Sequence, residues 1–208
     1  TPPQAAALAA AGIVSLCIDV DCFGERAADT ESSLAKTELW HGRTLFGRML
    51  ADLRGAFALL RSLDGVDPGR VGVIGFSMGA TQAFWLAALE PAVRAVAHIG
   101  SFADLATLIG TGGHDRHNFY MMVPGLVNHI RTGEIAGLAA PRPQLACVGL
   151  QDVMTPPVAV DIALADVRAA YAAAGRPDAF ACIADPEVGH VETAAMRRAL
   201  LAFLSENL

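Results

Sequence analysis

Two kinds of hydrophobic pattern alternate along this sequence. Short runs of continuous apolar residues, many of them β-branched, predict strands buried on both faces, as in a parallel sheet. Longer stretches in which apolar residues recur every three or four positions predict helices with one buried face. The predicted strands cover residues 13–20, 71–76, 93–99, 144–150 and 179–184, and the predicted helices cover residues 2–11, 39–63, 80–89, 157–174 and 192–208. The alternation predicts an α/β fold with a doubly wound, mostly parallel sheet.

Two stretches show neither pattern. Residues 22–37 are polar and predict a loop, whereas residues 101–137 are irregular and rich in Gly, His and Met. The sequence contains no evident linker or internal repeat, so we expect a single domain over residues 1–208, with residues 101–137 as an insertion that forms a pocket wall or cap. Ligand sites in such sheets lie at the carboxyl ends of the strands, so the loops there are where chemistry is expected.

The composition narrows the classes of partner and cofactor. The net charge is −6 and basic residues do not cluster, so nucleic acid is not an expected partner. No apolar run reaches the roughly 20 residues that span a bilayer, so no membrane partner is expected. The 4 cysteines have no Cys-x-x-Cys spacing, which argues against a zinc or redox site, and free thiols favour the cytoplasm. We therefore expect a cytoplasmic protein with no metal and no cofactor.

The most informative motif is Gly-x-Ser-x-Gly, formed by Gly75, Ser77 and Gly79. It follows a predicted strand and leads directly into a predicted helix, which is the setting of a nucleophile elbow. The tight turn is expected to require small residues at positions 75 and 79 and to expose the serine hydroxyl. It also directs the N–H of Met78 toward whatever the serine attacks, so Met78 is predicted to form part of an oxyanion hole. The alternative is a purely structural Gly-Ser-Gly turn.

A serine nucleophile needs a base, and the base needs a carboxylate that orients it. In this type of fold the three residues follow the order Ser, acid, His, each in a loop after a strand. Asp152 follows the fourth predicted strand and His190 follows the fifth, so we predict Ser77, Asp152 and His190 as catalytic residues. Asp185 and Glu187 are rival acids, although sequence neighbours cannot easily orient the ring of His190. A turn carboxylate and a surface histidine are the ordinary alternative roles of the two partners.

Further side chains are candidates for substrate binding. The residues predicted to line an acyl site are Phe23, Phe102, Tyr120 and Met121. Core packing is the alternative role for these side chains. His114 and His117 have a spacing that invites a metal-site interpretation, but no third ligand lies at a convincing distance along the chain, so loop packing or pocket lining is favoured. His98 lies within a predicted strand and is expected to be a core histidine.

Several segments together resemble the α/β-hydrolase superfamily, and more narrowly its dienelactone-hydrolase-like and acetyl-xylan-esterase-like serine esterases. The segments that carry the resemblance are residues 10–14, 19–26, 52–60, 66–79 and 140–143, with Asp152 and the pair Gly189-His190. The resemblance implies Ser77, Asp152 and His190 as a catalytic triad and the N–H of Met78 as one oxyanion donor. Dienelactone hydrolases proper have a cysteine nucleophile, so the serine here favours an esterase over that lactonase.

The chain departs from the family pattern at its start. The family places two or three strands before the first helix, and the loop after the last of them supplies a second oxyanion N–H, whereas this sequence opens with Thr1-Pro-Pro at that helix. Either the sequence is a fragment of a longer protein, or it is a shortened form that lacks the N-terminal strands. A shortened form would expose a sheet edge at residues 13–20, and because such edges pair with other chains, a homodimer is then expected.

Together these observations predict a serine hydrolase that cleaves carboxylic esters through an acyl-enzyme, with a small-molecule ester as its substrate. Alanine-rich packing and the lack of a long apolar lid favour a small or medium acyl group. A peptidase or a thioesterase would use the same triad. A non-catalytic hydrolase-fold protein that binds a ligand or a partner is the alternative from a different class.

Overall fold

The computed structural model describes residues 3–208 as alternating helices and strands. The helices are α1 (Gln4–Ala10), α2 (Glu31–Trp40), α3 (Leu45–Ser62), α4 (Met78–Leu89), α5 (Leu105–Gly110), α6 (Thr132–Gly137), α7 (Pro157–Ala173) and α8 (Ala194–Asn207). The strands are β1 (Val73–Phe76), β2 (Val96–Ile99), β3 (Gln144–Gly149) and β4 (Phe180–Asp185). The predicted helix at residues 2–11 corresponds to α1, and position 2 lies outside the described residues. Among those described, no helix combines the length and apolar character needed to cross a bilayer.

The strands form one parallel sheet in the order β1-β2-β3-β4 within the described part of the chain. Side chains alternate between its two faces. Leu145 and Cys147 of β3 pack with α1 and α8 on one face, whereas Ala146 and Val148 pack with α4 to α7 on the other. Helices therefore cover both faces, and the predicted doubly wound α/β architecture is confirmed. This arrangement places the carboxyl ends of all four strands at one edge.

The predicted strand at residues 13–20 is wrong. This segment is not a strand in the structure, and Val14 is 64% exposed. A strand exists only through pairing with a neighbour, and the amides of residues 14–20 donate no backbone hydrogen bond to any described residue. Instead, a groove of about 610 Å³ lies between this segment and β1. Among the described strands, the edge strand on this side of the sheet is therefore β1, and not residues 13–20 as predicted.

Residues 22–63, predicted as a polar loop followed by one long helix, contain two helices, α2 and α3. α2 begins after Thr30, whose side-chain oxygen accepts the N–H of Ser33 at 3.2 Å. It ends before Gly42, which has φ +70° and stops helical hydrogen bonding. α3 starts anew after Thr44, whose side chain accepts the N–H of Gly47 at 2.9 Å. The two threonine caps determine where the helices begin, because a cap satisfies amides that have no acceptor within the helix.

Residues 101–137 contain α5, α6 and short 3-10 turns rather than a strand or a long helix. Hydrogen bonds attach the segment to the rest of the molecule at several places, among them the following two. The N–H of Tyr120 donates to the Glu31 carboxylate at 2.8 Å, and the N–H of Asp104 donates to the carbonyl of Ala159 at 2.8 Å. These contacts hold the segment against α2 and α7, next to the carboxyl ends of the strands.

Candidate active site

Ser77 occupies a sharp turn between β1 and α4. Its backbone has φ +56° and ψ −119°, a conformation that a residue with a side chain adopts only under constraint. The constraint comes from both sides of the turn. The N–H of Ser77 donates to the carbonyl of Ile99 at 2.9 Å, which ties it to β2. On the other side, a Cβ at Gly75 would overlap the carbonyl of Gly79, so position 75 has to be glycine.

The second glycine of the motif, Gly79, is not under the same steric constraint as Gly75. A Cβ at Gly79 would have no neighbouring atom within 4 Å, and Gly79 lines the groove beside β1. The expectation that both positions must be small is therefore wrong for Gly79. The reason is that the backbone of residue 79 folds over the Cα of Gly75, whereas its own Cα faces open space. The motif has one sterically required glycine.

The structure brings Ser77, His190 and Asp152 together in one hydrogen-bonded row. His190 Nδ1 lies 2.6 Å from Asp152 Oδ2, and His190 Nε2 lies 2.7 Å from Ser77 Oγ. A carboxylate only accepts, so Nδ1 carries the proton and donates it to Asp152. In the neutral ring Nε2 is then free to accept the hydrogen of the Ser77 hydroxyl. The arrangement can therefore take a proton from the serine when its oxygen attacks.

The carboxylate of Asp152 is held by its own loop after β3. Asp152 is 3% exposed, and the N–H of Met154 donates to its Oδ1 at 2.8 Å. Of the rival acids, Asp185 accepts the N–H of Glu187 at 3.0 Å, which uses it within its own turn. The carboxylate beside the imidazole is thus that of Asp152, as the order of strands predicted.

Packing also fixes the plane of the His190 ring. Its centroid lies 5.0 Å from that of Phe76, with the two rings tilted by 39°. Gly100 has φ +70°, and a Cβ there would lie 3.3 Å from His190 Cε1, so the backbone approaches the ring closely. The imidazole is 24% exposed, which leaves it open to a ligand on one side. Its orientation is therefore set before any substrate binds.

The amide of Met78 directly follows Ser77 at the start of α4. The N–H of Met78 is the first amide of α4 and has no acceptor within the helix. The N-terminal end of a helix also carries a partial positive charge. The role of Met78 as an oxyanion donor stays a prediction, which this position at the helix start favours.

A cavity of about 30 Å³ lies near the start of α4 and the Asp152 loop, and none of the three row residues is among those that line it. Its polar lining residues are Thr81, one turn after Ser77, Ser101, next to Gly100, Thr155, in the Asp152 loop, and His117 and Thr132 of the 101–137 segment. Apolar walls come from α3, α4 and the 101–137 segment. The hydroxyl of Ser101 is buried and has no hydrogen-bond partner among the described residues. The cavity has room for one or two water-sized groups.

The structure separates the four residues predicted to line a substrate site. Met121 lines the small cavity. Phe102 is 0% exposed and packs between the rings of Phe84 and His98, so it belongs to the core and cannot touch a ligand here. Tyr120 is buried in the cluster around α3, and Phe23 lies half-exposed in the loop after residue 20. Neither lines the cavity. None of the three aromatic residues predicted to bind substrate therefore lines the cavity, and Phe102 and Tyr120 pack in the core instead.

The histidines of the chain take different roles. His98 is fully buried and accepts from the side-chain amide of Gln144 at 3.0 Å, and desolvation lowers its pKa to about 3. His114 lies beside the exposed Asp115, whereas His117 contacts the carbonyl of Met154. Within residues 3–208, no three His, Cys, Asp or Glu side chains gather as metal ligands would.

Most polar residues around the cavity were missed by sequence reasoning, whereas pocket lining was one of the two roles favoured for His117, which does line it. Ser101 lies two residues after the end of β2, as Asp152 lies three residues after the end of β3, so the rule that ligands bind at strand ends could have singled it out. His117 gives no comparable signal, because the segment around it has no periodic pattern. Its position depends on how the 101–137 segment folds against the Asp152 loop.

Comparison with known proteins identifies the family. The model of the dienelactone hydrolase family matches residues 4–106. The Bacillus subtilis (strain 168) protein named "Putative hydrolase YtaP" is 37% identical over 206 residues, which make up 99% of this chain and 69% of that protein.

Solved structures agree at the level of the fold. TT1662 from Thermus thermophilus has a TM-score of 0.70 at 21% identity, with 98% of this chain and 80% of that chain covered. Acetyl Xylan Esterase 1 from Thermoanaerobacterium sp. JW/SL YS485 has a TM-score of 0.58 at 21% identity, with 94% of this chain and 63% of that chain covered. The chain spans about half the length of other esterases that it resembles, such as 50% of a CE15 glucuronoyl esterase from Caldicellulosiruptor kristjansonii.

These matches agree with the geometry of the site. The relative that covers almost the whole chain is named as a hydrolase, and the matched family model includes the Ser77 turn. The chain is therefore a hydrolase that belongs to the dienelactone hydrolase family of the α/β-hydrolase superfamily.

Proposed function

We propose that this protein is a serine hydrolase that cleaves carboxylic esters of short acyl groups. The observation that carries the proposal is the row of two short hydrogen bonds that joins Ser77 Oγ, the His190 imidazole and the Asp152 carboxylate. A serine in a strand-to-helix turn, a base that accepts its proton and an acid that orients the base are the parts that acyl transfer needs.

The proposed reaction has two steps. Ser77 Oγ attacks the acyl carbonyl carbon while His190 Nε2 takes its proton, and the amide of Met78 binds the oxygen that becomes negative. The tetrahedral intermediate then expels the alcohol, which receives the proton from His190, and an acyl-enzyme remains. In the second step His190 deprotonates a water that attacks the acyl carbon and releases the acid and Ser77. Asp152 keeps the imidazole in the required tautomer and stabilises its charged form.

The size of the cavity supports a short acyl group. In this proposal the acyl group enters the cavity of about 30 Å³, which has room for a methyl or a slightly larger group but for no extended chain. Its wall includes the side chain of Met121, which is flexible and half-buried. Shortening this side chain would widen the cavity without removing a group of the hydrogen-bonded row.

Similar proteins favour ester hydrolysis over the other reactions that the same three residues could catalyse. Solved structures that share the fold are named as acetyl xylan, glucuronoyl and methyl esterases. A peptidase or thioesterase remains the alternative with the same residues. A non-catalytic binding protein would not need this hydrogen-bonded row. Burying an acid and a base costs desolvation energy, and apolar side chains of similar size could replace them.

A panel of acyl donors tests the proposal. We expect kcat/KM to fall from p-nitrophenyl acetate to butyrate to octanoate, and to be lower for a thioester and a peptide anilide with the same acetyl group. Met121→Ala should raise the octanoate rate relative to the acetate rate, because it opens the cavity wall.

Other results of this panel would change the assignment. A rate that increases with chain length would contradict the short acyl site, and a preference for the thioester or anilide would replace the ester assignment. A folded protein that hydrolyses none of the donors would overturn the catalytic proposal.

A further inference from the structure

His117 connects the 101–137 segment to the loop of Asp152. Its Nε2 lies 2.8 Å from the carbonyl oxygen of Met154. A carbonyl only accepts, so Nε2 carries a proton and donates it, which both the charged ring and one neutral tautomer can do. The same Met154 donates its N–H to Asp152 Oδ1 at 2.8 Å. The two peptide groups that flank the Cα of Met154 are therefore held on opposite sides, one by His117 and one by Asp152.

We propose that His117 is a positioning residue for the acid of the triad. The hydrogen bonds run from His117 through the Met154 backbone to Asp152, and from there to His190 and Ser77. This inference rests on the proposed function, because it assigns a role within the same acyl-transfer site. It adds a residue from the 101–137 segment, which supplies no member of the triad itself.

The physical argument concerns the two oxygens of a buried carboxylate. Oδ2 of Asp152 accepts from His190, and Oδ1 accepts from Met154. If the peptide group that carries the Met154 N–H rotates, Asp152 Oδ1 loses its donor. The carboxylate then turns to find another partner, because an unpaired buried charge is costly. Such a turn moves Oδ2 away from the imidazole. His117 opposes the rotation because it holds the carbonyl on the other side of the Met154 Cα.

His114 provides a matched control three residues away. It belongs to the same 3-10 turn region, but its ring lies beside the exposed Asp115 and makes no described bond to the Asp152 loop. A change at His114 therefore perturbs the same segment without touching the carbonyl of Met154. If the segment acts only through its general packing, both histidines should behave alike.

The test compares His117→Phe, His117→Gln and His114→Phe in the hydrolysis of p-nitrophenyl acetate. His117→Phe removes the donor, and we expect kcat to fall by roughly 10- to 100-fold with KM unchanged, the scale of a misplaced catalytic group. His117→Gln places an amide N–H near the position of Nε2 and should restore most of the activity. His114→Phe should match the wild type. A circular-dichroism melt of each variant checks that it is folded.

A double-mutant cycle separates positioning from a structural role. In the Asp152→Asn background, His117→Phe should have little further effect on the rate of labelling by a fluorophosphonate, because the group that His117 orients is already changed. If the two effects multiply, or if His117→Phe raises KM and leaves kcat unchanged, the positioning role is overturned. An active wild type with an equally active His117→Phe variant would remove this inference alone. An inert wild type would remove the proposed function as well.

Discussion

The two sides of β1 differ sharply. On one side β1 pairs with β2, and the amide of Ser77 continues the ladder by donating to Ile99. On the other side a groove of about 610 Å³ separates β1 from the segment 13–20, whose amides at 14–20 donate no backbone hydrogen bond to a described residue. The hydrogen-bonded row of the site nevertheless has normal geometry. The contacts described for the Ser77 backbone thus come from the paired side of β1 and from the turn.

The largest difference between the two sides in activity is expected at the glycines of the turn, which should also differ in stability. Gly75→Ala places a methyl group against the carbonyl of Gly79 and should lower the free energy of unfolding by about 3 kcal/mol, with loss of ester hydrolysis. The methyl group that Gly79→Ala adds points into the groove. This change should alter the free energy of unfolding by less than about 1 kcal/mol and leave the activity intact. Urea unfolding and a steady-state ester assay measure both effects. Equal damage from the two changes would show that the groove is filled.

A second contrast compares one side chain from each side. Leu145→Ala on β3 leaves a cavity between the sheet and α8, and should cost about 2–5 kcal/mol of unfolding free energy. Val14→Ala beside the groove removes a side chain that is 64% exposed and should cost less than about 0.5 kcal/mol. Both values come from urea denaturation at neutral pH. A Val14 effect as large as that at Leu145 would mean that the segment 13–20 is packed in solution.

The smallest predicted effect is a pH dependence on the paired side, at His98, which lies opposite Gly75 in the sheet. Desolvation lowers its pKa from 6.5 to about 3 in the folded protein. Below pH 6.5 the unfolded chain binds a proton that the folded chain does not, so stability falls as the pH decreases toward 3. At pH 5, 1.5 units below the unfolded pKa, this loss of stability should be about 2 kcal/mol, and His98→Gln should lack it. Identical pH dependence in both proteins would contradict the desolvated state of His98.

The sequence predicted the candidate site better than the sheet that carries it. Ser77, Asp152 and His190 were predicted because each follows a strand, and the carboxyl ends of parallel strands meet at one edge. Their hydrogen-bonded geometry agrees with that reasoning. The segment 13–20 was mispredicted because an apolar run specifies only the tendency to form a strand, whereas pairing depends on a neighbour elsewhere in space.

Side chains in the irregular segment could not be assigned in the same way. Phe102 and Met121 look equivalent in the sequence, yet one is packed in the core and the other lines the cavity. Composition does not distinguish these roles, because apolar residues serve both. The contact of His117 with Met154 joins residues 37 apart in the chain and depends on tertiary folding alone.

The central claim is that Ser77 is a nucleophile activated by His190. The most direct measurement is peptide mass spectrometry after reaction of the folded protein with a fluorophosphonate. We predict an adduct on Ser77 in the wild type and its loss in His190→Ala, since without the imidazole no base takes the hydroxyl proton. A folded wild type without an adduct on Ser77, or a His190→Ala variant labelled at the wild-type rate, would contradict the claim.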